Sequence, residues 1–224
     1  MSKWKDLYKA AAVAAVISEL ILIFSLVLYF FFPYAPGNQT TETIFLNLQS
    51  NLLGALISLD LFLLIGNLVG IVLFLTLFVS LKPVNESMAL IALAVGLVGV
   101  VLLIPARPLV ELHVLSGEFA AATTDVAKSQ LLAQGDVLLR LFDGTGWFLN
   151  NLLGGFSLLL SSVLMLRSEL FTKATAWVGI VTNAMVTLFF IPVVGMIFLF
   201  LTIPGYMIWY FQLGRKFFAL GWAE

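Results

Sequence analysis

Long apolar runs separated by short polar segments dominate the chain. Six of these runs approach or exceed the roughly 20 residues that cross a bilayer as an α-helix, and they lack the period of two expected of barrel strands. The predicted spans are residues 10–32, 52–81, 88–104, 146–166, 174–191 and 194–213. Only Pro192 and Gly195 interrupt the last two runs, so five or seven spans also fit the pattern. The pattern predicts an all-α integral membrane protein, a six-transmembrane-helix bundle.

The composition agrees with this class. The chain is 62% hydrophobic and 10% charged, whereas soluble domains are about half apolar and a quarter charged. It contains no cysteine, which excludes disulfides, thiolate catalysis and cysteine-ligated metals. With a net charge of -1 and no basic arm, it gives no sign of nucleic-acid binding. We therefore expect a single membrane domain over residues 1–224 that is embedded in the lipid bilayer.

The distribution of Lys and Arg predicts the orientation, because cytoplasmic loops carry the excess of positive charge. With the N-terminus inside, the inner side carries Lys3, Lys5, Lys9, Lys82, Arg167, Lys173, Arg215 and Lys216, and the outer side Arg107, Lys128 and Arg140. Both termini are then cytoplasmic, in a multi-pass protein of the cell (inner) membrane. The outer segment 105–142 is the longest connection. Its part from Val126 to Phe142 has helical spacing and either lies along the membrane surface or extends the fourth helix.

Small residues within the spans predict where helices pack closely. Gly66 and Gly70 form a G-x-x-x-G pair in the second span, and Gly96 and Gly99 belong to a small-residue stripe in the third. Asn85 stands where it can cap the third helix. These features predict ordinary helix-packing seams.

Several stretches together resemble a known family: "LKPVNESMALIALAVGL" at 81–97, "SEL" at 18–20, "SLDLFLL" at 58–64 and "RSELFTKATAWVGI" at 167–180. From about residue 8 to 218 the chain resembles the bacterial multi-pass membrane family described as domain of unknown function 4386. The resemblance implies the membrane architecture and no particular activity. It also implies that Glu19 and Asp60 occupy positions where relatives often carry Glu and Asp. The chain departs from many relatives at Asn67, where they have an acid, and in the third helix, where they have an arginine.

Glu19, Asp60 and Asn67 are the candidate intramembrane site. An acid at membrane depth is costly and usually faces the protein interior. Asp60 and Asn67 are seven residues apart, which places them on one face of a continuous helix. This predicts a polar contact between the first and second helices. The contact serves either as a proton or cation relay or as a polar ligand pocket. Alternatively its role is structural, and a hydrogen-bonded carboxyl holds the helices together.

A second group of polar residues lies near the outer ends of the third and fourth spans: Arg107, Arg140, Asp143, Asn150 and Asn151. With Asp60 these side chains could form an outer cleft. Alternatively, the charged ones are interfacial groups in water, since charges near helix ends readily reach the interface. The single histidine, His113, is either a weak cation site or general base, or a solvated loop residue.

The sequence carries no phosphate-binding loop, H-E-x-x-H, G-x-S-x-G or EF-hand motif. We predict no catalytic residue, no metal and no cofactor. The favoured function is a non-enzymatic structural, accessory or interaction subunit of the membrane. The alternative is a small-solute or proton/cation-coupled transporter that uses the intramembrane acids, and the weakest is a membrane enzyme with an outer-face site. The corresponding partners are other membrane subunits or a small solute, and no nucleic acid.

Overall fold

A computed structural model describes residues 3–191 and 194–223, and all regular structure in these ranges is helical. The helices are α1 Lys5–Phe31, α2 Thr41–Ser50, α3 Leu52–Ser58, α4 Leu61–Leu81, α5 Glu86–Leu103, α6 Leu109–Ala121, α7 Asp125–Leu139, α8 Thr145–Met165, α9 Lys173–Thr187 and α10 Val194–Gly221. A 3₁₀ turn, Arg140–Asp143, separates α7 from α8.

Within the described residues, five helical segments are long and apolar enough to cross a membrane. They contain α1, α4, α5, α8 and most of α10. The run predicted as the fifth span forms α9, which has 15 residues and is shorter than the usual spanning length. Pro192, predicted to mark the turn after it, lies outside the described residues.

Side-chain caps explain where several helices begin. The hydroxyls of Thr40, Thr124 and Thr172 each accept a hydrogen bond from the backbone N–H three residues ahead. Such a cap satisfies one of the amide groups that lack a partner in the first turn of a helix. Asn85 caps α5 through the N–H of Met88 at 3.0 Å, which confirms the cap predicted from the sequence.

The chain divides into two compact units. Unit 1 comprises Met1–Ile23, Gly66–Val101 and Leu149–Glu224. In its core Ala11 and Ala15 of α1 are fully buried in one cluster with Trp209, Leu213 and Phe217 of α10. Small side chains on α1 let bulky neighbours approach closely, as is usual between membrane helices.

Unit 2 comprises Phe24–Ile65 and Leu102–Phe148. Its core contains Ile44, Phe45 and Leu48 of α2 together with Leu112 and Phe119 of α6, all less than a tenth exposed. The outer segment thus folds into helices with an apolar core. The predicted helical stretch from Val126 corresponds to α7, whereas no helix is predicted from the sequence over α2 or α6.

The glycine seams are only partly as predicted. A Cβ on Gly96 would lie 2.5 Å from the Phe74 ring, and one on Gly99 would lie 3.3 Å from the backbone oxygen of Asn150, so both glycines permit close packing. By contrast, a Cβ on Gly70 would meet no atom of the described residues within 4 Å, apart from its chain neighbours and the backbone of its own helix. The G-x-x-x-G prediction of a tight seam is therefore wrong at Gly70, because residue spacing does not determine which helix face meets a neighbour.

Candidate functional site

Asp60 lies in a break between two helices. Helix α3 ends at Ser58 and α4 begins at Leu61, and Asp60 has a φ of 65°, which is rare for a residue other than glycine. Its N–H donates to the carbonyl of Ile57, and its own carbonyl accepts the first hydrogen bond of α4, from Leu64. Aspartate tolerates this left-handed conformation better than most residues do.

This break corrects two predictions. The second predicted span, residues 52–81, is not one continuous helix. Asp60 and Asn67 therefore do not share one face of a helix, because Asp60 precedes the first residue of α4 and has a non-helical φ. The break redirects the Asp60 carboxylate toward partners that helical spacing could not have identified.

The Asp60 carboxylate has partners on both of its oxygens. Its Oδ2 accepts from Nε of Arg107 at 2.9 Å and from the second terminal nitrogen of the same guanidinium at 2.8 Å. Its Oδ1 accepts from the hydroxyl of Tyr29 at 2.5 Å. The Arg107 and Asp60 side chains are only 1% and 8% exposed. The site is a buried ion pair with a tyrosine hydroxyl as its third member.

The remaining contacts of Arg107 fix its orientation. Nη1 donates to the backbone carbonyls of Ala106 and Phe142, both at 2.9 Å, and the guanidinium lies over the Phe142 ring, 4.8 Å from its centre. Burial of two charges is costly unless additional hydrogen bonds satisfy them. The two carbonyls and the aromatic face supply such contacts for the guanidinium of Arg107, which offset part of the cost of its burial.

The turn "PARP" positions Arg107. Proline removes a backbone donor and restricts the residue before it, which favours a helix end. Accordingly, α5 ends at Leu103 and α6 begins at Leu109. Arg107 is buried in the turn between them, so the interpretation of Arg107 as an interfacial charge in water is wrong.

Tyr34 lies beside this ion pair, beyond the end of α1. Its burial raises the pKa of the Tyr34 phenol above its ordinary value, and the negative charges of Asp60 and Asp143 raise this pKa further, against the opposing effect of Arg107. The Tyr34 hydroxyl therefore stays protonated in the ordinary pH range and remains a hydrogen-bond donor.

The residues of the predicted outer cleft differ in burial and belong to two different units. Arg140 and Asp143 are exposed in the 3₁₀ turn, whereas Arg107 is buried in the ion pair. Asn150 and Asn151 belong to unit 1, where both are half-buried on α8. The five residues thus divide into a buried ion-pair member, two exposed charges and two amides on α8.

Asn67 belongs to a separate hydrogen-bonded group in unit 1. Its Nδ2 donates to the carbonyl of Val100 at 3.2 Å, and its Oδ1 accepts from Nδ2 of Asn150 at 3.1 Å. Asn150 also donates to the carbonyl of Gly99 at 3.0 Å. These amides join α4, α5 and α8, so each finds a partner inside the bundle.

Glu19 and His113 have different surroundings again. Glu19 is half-buried on α1 and lines a groove of about 500 Å³. His113 is exposed on α6, as are the neighbouring Glu111 and Glu118. Within residues 3–191 and 194–223, no group of three or more His, Asp or Glu side chains is placed to bind a metal ion.

Tyr29 is the member of the site that sequence reasoning missed. A tyrosine near the end of an apolar span is typical of the aromatic belt at a membrane interface, and the sequence pattern predicts no site role for Tyr29. Its position near the end of an otherwise apolar helix was a usable signal, since a buried tyrosine hydroxyl usually finds a hydrogen-bond partner. The carbonyls that hold Arg107 left no such signal in the sequence.

Comparison with known families supplies one match. A family model described as a domain of unknown function (DUF4386) matches residues 7–214. The chain belongs to this family. The match confirms the resemblance seen in the sequence. Both Glu19 and Asp60 of this DUF4386 member lie within residues 7–214, the part of the chain that the family model covers. No curated protein and no solved structure matches the chain.

Proposed function

We propose that this DUF4386 member is a non-enzymatic membrane protein that serves as a structural, accessory or interaction subunit. The observation that carries the proposal is the closed set of partners around Asp60. Arg107 and Tyr29 hold both carboxylate oxygens, while Arg107 is itself held by backbone carbonyls. A carboxylate that moves protons or cations has to exchange partners during each cycle. The Asp60 carboxylate instead has the contacts of a tie between chain segments.

The proposal is tested by replacing Asp60 with asparagine, which keeps the size of the side chain and tolerates a positive φ. Asp60→Asn is expected to lower the melting temperature in detergent, because Arg107 is left buried without its counter-ion. Proteoliposomes with wild-type protein or with Asp60→Asn are expected to show the same proton and cation flux as protein-free liposomes. A coupled flux in the wild type that folded Asp60→Asn abolishes would contradict the proposal.

A small-solute or proton/cation-coupled transporter is the second candidate, and Glu19 favours it. No other described residue gives this acid a hydrogen bond or an ion pair. An unpaired acid inside a membrane helix is a functional hypothesis by default. The same flux assay on Glu19→Gln decides, because a transporter that uses this acid has a wild-type flux that the substitution abolishes.

We propose that the chain crosses the inner membrane of a bacterial cell six times with both termini in the cytoplasm. The charge distribution supports this orientation. The number of six is reached if α9 crosses the membrane in addition to the five longer segments. The absence of cysteine allows direct labelling of single introduced cysteines. In intact cells, a membrane-impermeant maleimide is expected to label Glu118→Cys and to label Ser87→Cys only after permeabilisation. Both positions are exposed at the ends of helices. The reverse pattern would contradict the orientation.

A further inference from the structure

An apolar groove in unit 1 brings one acid and one base to the same surface. Helices α1 and α10 line it, and its volume is about 500 Å³. Glu19 comes from α1 and Arg215 from α10, and the rest of the lining consists of apolar and aromatic residues, among them Tyr210. Both helices belong to segments that can cross a membrane, so the two charges lie on a surface suited to helix packing.

Neither charge is paired within the described residues. Glu19 has no ion pair or hydrogen bond there. Arg215 makes a cation–π contact, with its guanidinium 5.7 Å from the centre of the Phe211 ring, and no ion pair in the same part of the chain. Charged groups in membrane helices usually pair or face water, and within the described residues of a single chain neither Glu19 nor Arg215 has a partner of opposite charge.

The two charges lie at similar heights along the helix pair. Gly214 lies against Ala15, and Gly221 lies against Lys9, so α1 and α10 run antiparallel. Glu19 is four residues beyond Ala15, which is about 6 Å along the axis at 1.5 Å per residue. The Arg215 side chain extends over Phe211, one turn in the same direction. The extended arginine therefore brings its charge toward the level of Glu19.

We propose that this groove is the interface of a symmetric homodimer in which Glu19 of each chain pairs with Arg215 of the second copy. A two-fold axis parallel to the helices preserves height, and a two-fold interface repeats every contact. The dimer would therefore form the Glu19–Arg215 pair twice. The inference rests on the proposed function, since it names a second copy of this chain as the partner of an interaction subunit.

Charge complementarity favours a second copy over other occupants. A lipid acyl chain in the groove would leave both Glu19 and Arg215 without a counter-charge. A foreign helix with one basic residue would leave Arg215 unpaired. A second copy supplies an acid and a base at matching heights.

Charge reversal in separate chains tests the pairing. Glu19→Arg alone and Arg215→Glu alone each place like charges opposite one another in a homodimer, so the dimer dissociation constant is expected to rise at least about tenfold. In a mixture of the two variants, the heterodimer again has two pairs of opposite charge. One is the native Glu19–Arg215 pair, and in the other the two charges have exchanged positions. The dissociation constant of this heterodimer is expected to return close to the wild-type value. Energy transfer between chains that are labelled at single introduced cysteines and reconstituted in nanodiscs measures the dissociation constants of the wild type, of each single variant and of the mixture.

A wild-type chain that stays monomeric overturns the inference, as does a dimer that neither reversal weakens. Recovery in the double variant Glu19→Arg/Arg215→Glu, without recovery in the mixture of single variants, also overturns it, because the pair then forms within one chain. If a reversed chain does not fold, Glu19→Gln and Arg215→Gln replace it, and each is expected to weaken the dimer. A monomer without coupled flux overturns only the interface, whereas a flux that Glu19→Gln abolishes overturns the proposed function.

Discussion

Replacing Arg107 by methionine is expected to lower the free energy of unfolding by about 3–5 kcal/mol, the range found when one partner of a buried ion pair is removed. Methionine keeps much of the length of the arginine but leaves the Asp60 carboxylate buried without its counter-ion. It also leaves the carbonyls of Ala106 and Phe142 without the donor that they have now. Chemical unfolding in one detergent, followed by tryptophan fluorescence, measures the loss.

Arg140→Met is the matched control. Arg140 belongs to the same unit but is exposed, and substitutions at exposed sites usually change stability by no more than about 0.5 kcal/mol. The difference between the two variants isolates the effect of burial and pairing. Equal losses at both positions would contradict the structural role of Arg107.

Replacing Gly96 by valine is expected to destabilise the fold by about 1–3 kcal/mol or more, because a closely packed core tolerates added volume poorly. A Cβ at this position would lie 2.5 Å from the ring of Phe74 and 2.7 Å from Oγ of Ser157. The Ser157 hydroxyl cannot withdraw freely, since it donates to the carbonyl of Ala92. The melting temperature of the purified variant in detergent measures the effect.

Gly70→Val is the control for this prediction, since it adds the same side chain to a helix of the same unit. Apart from its chain neighbours and the backbone of its own helix, no atom of the described residues lies within 4 Å of its Cβ position, so we expect a change of no more than about 0.5 kcal/mol. A loss at Gly70 equal to that at Gly96 would show that the small-residue pattern in α4 is a tight seam after all.

The membrane helices could be predicted because their signal is long and local. An apolar run of about 20 residues marks a span without reference to the rest of the chain. Thus α8, at Thr145–Met165, agrees closely with the predicted span 146–166. Helix α2 also carries a local signal, because Thr40 caps it and Ile44, Phe45 and Leu48 recur at helical spacing.

The arrangement around Asp60 was much harder to predict. Neither glycine nor proline marks the break before α4, so the run looked like one helix. The direction of the carboxylate depends on a positive φ, which the local sequence does not reveal. The burial of Arg107 depends on the carbonyl of Phe142, 35 residues away along the chain. Such tertiary partners overrule the usual expectation that an arginine near a helix end reaches water.

A double-mutant cycle at Asp60 and Arg107 tests the central claim most directly, namely that the buried acid is a structural tie. The free energy of unfolding is measured for wild type, Asp60→Asn, Arg107→Met and the double variant. We expect the double variant to lose less than the sum of the single losses, by about 1–3 kcal/mol, because removal of both partners leaves no unpaired buried charge. Additive losses would contradict the claim.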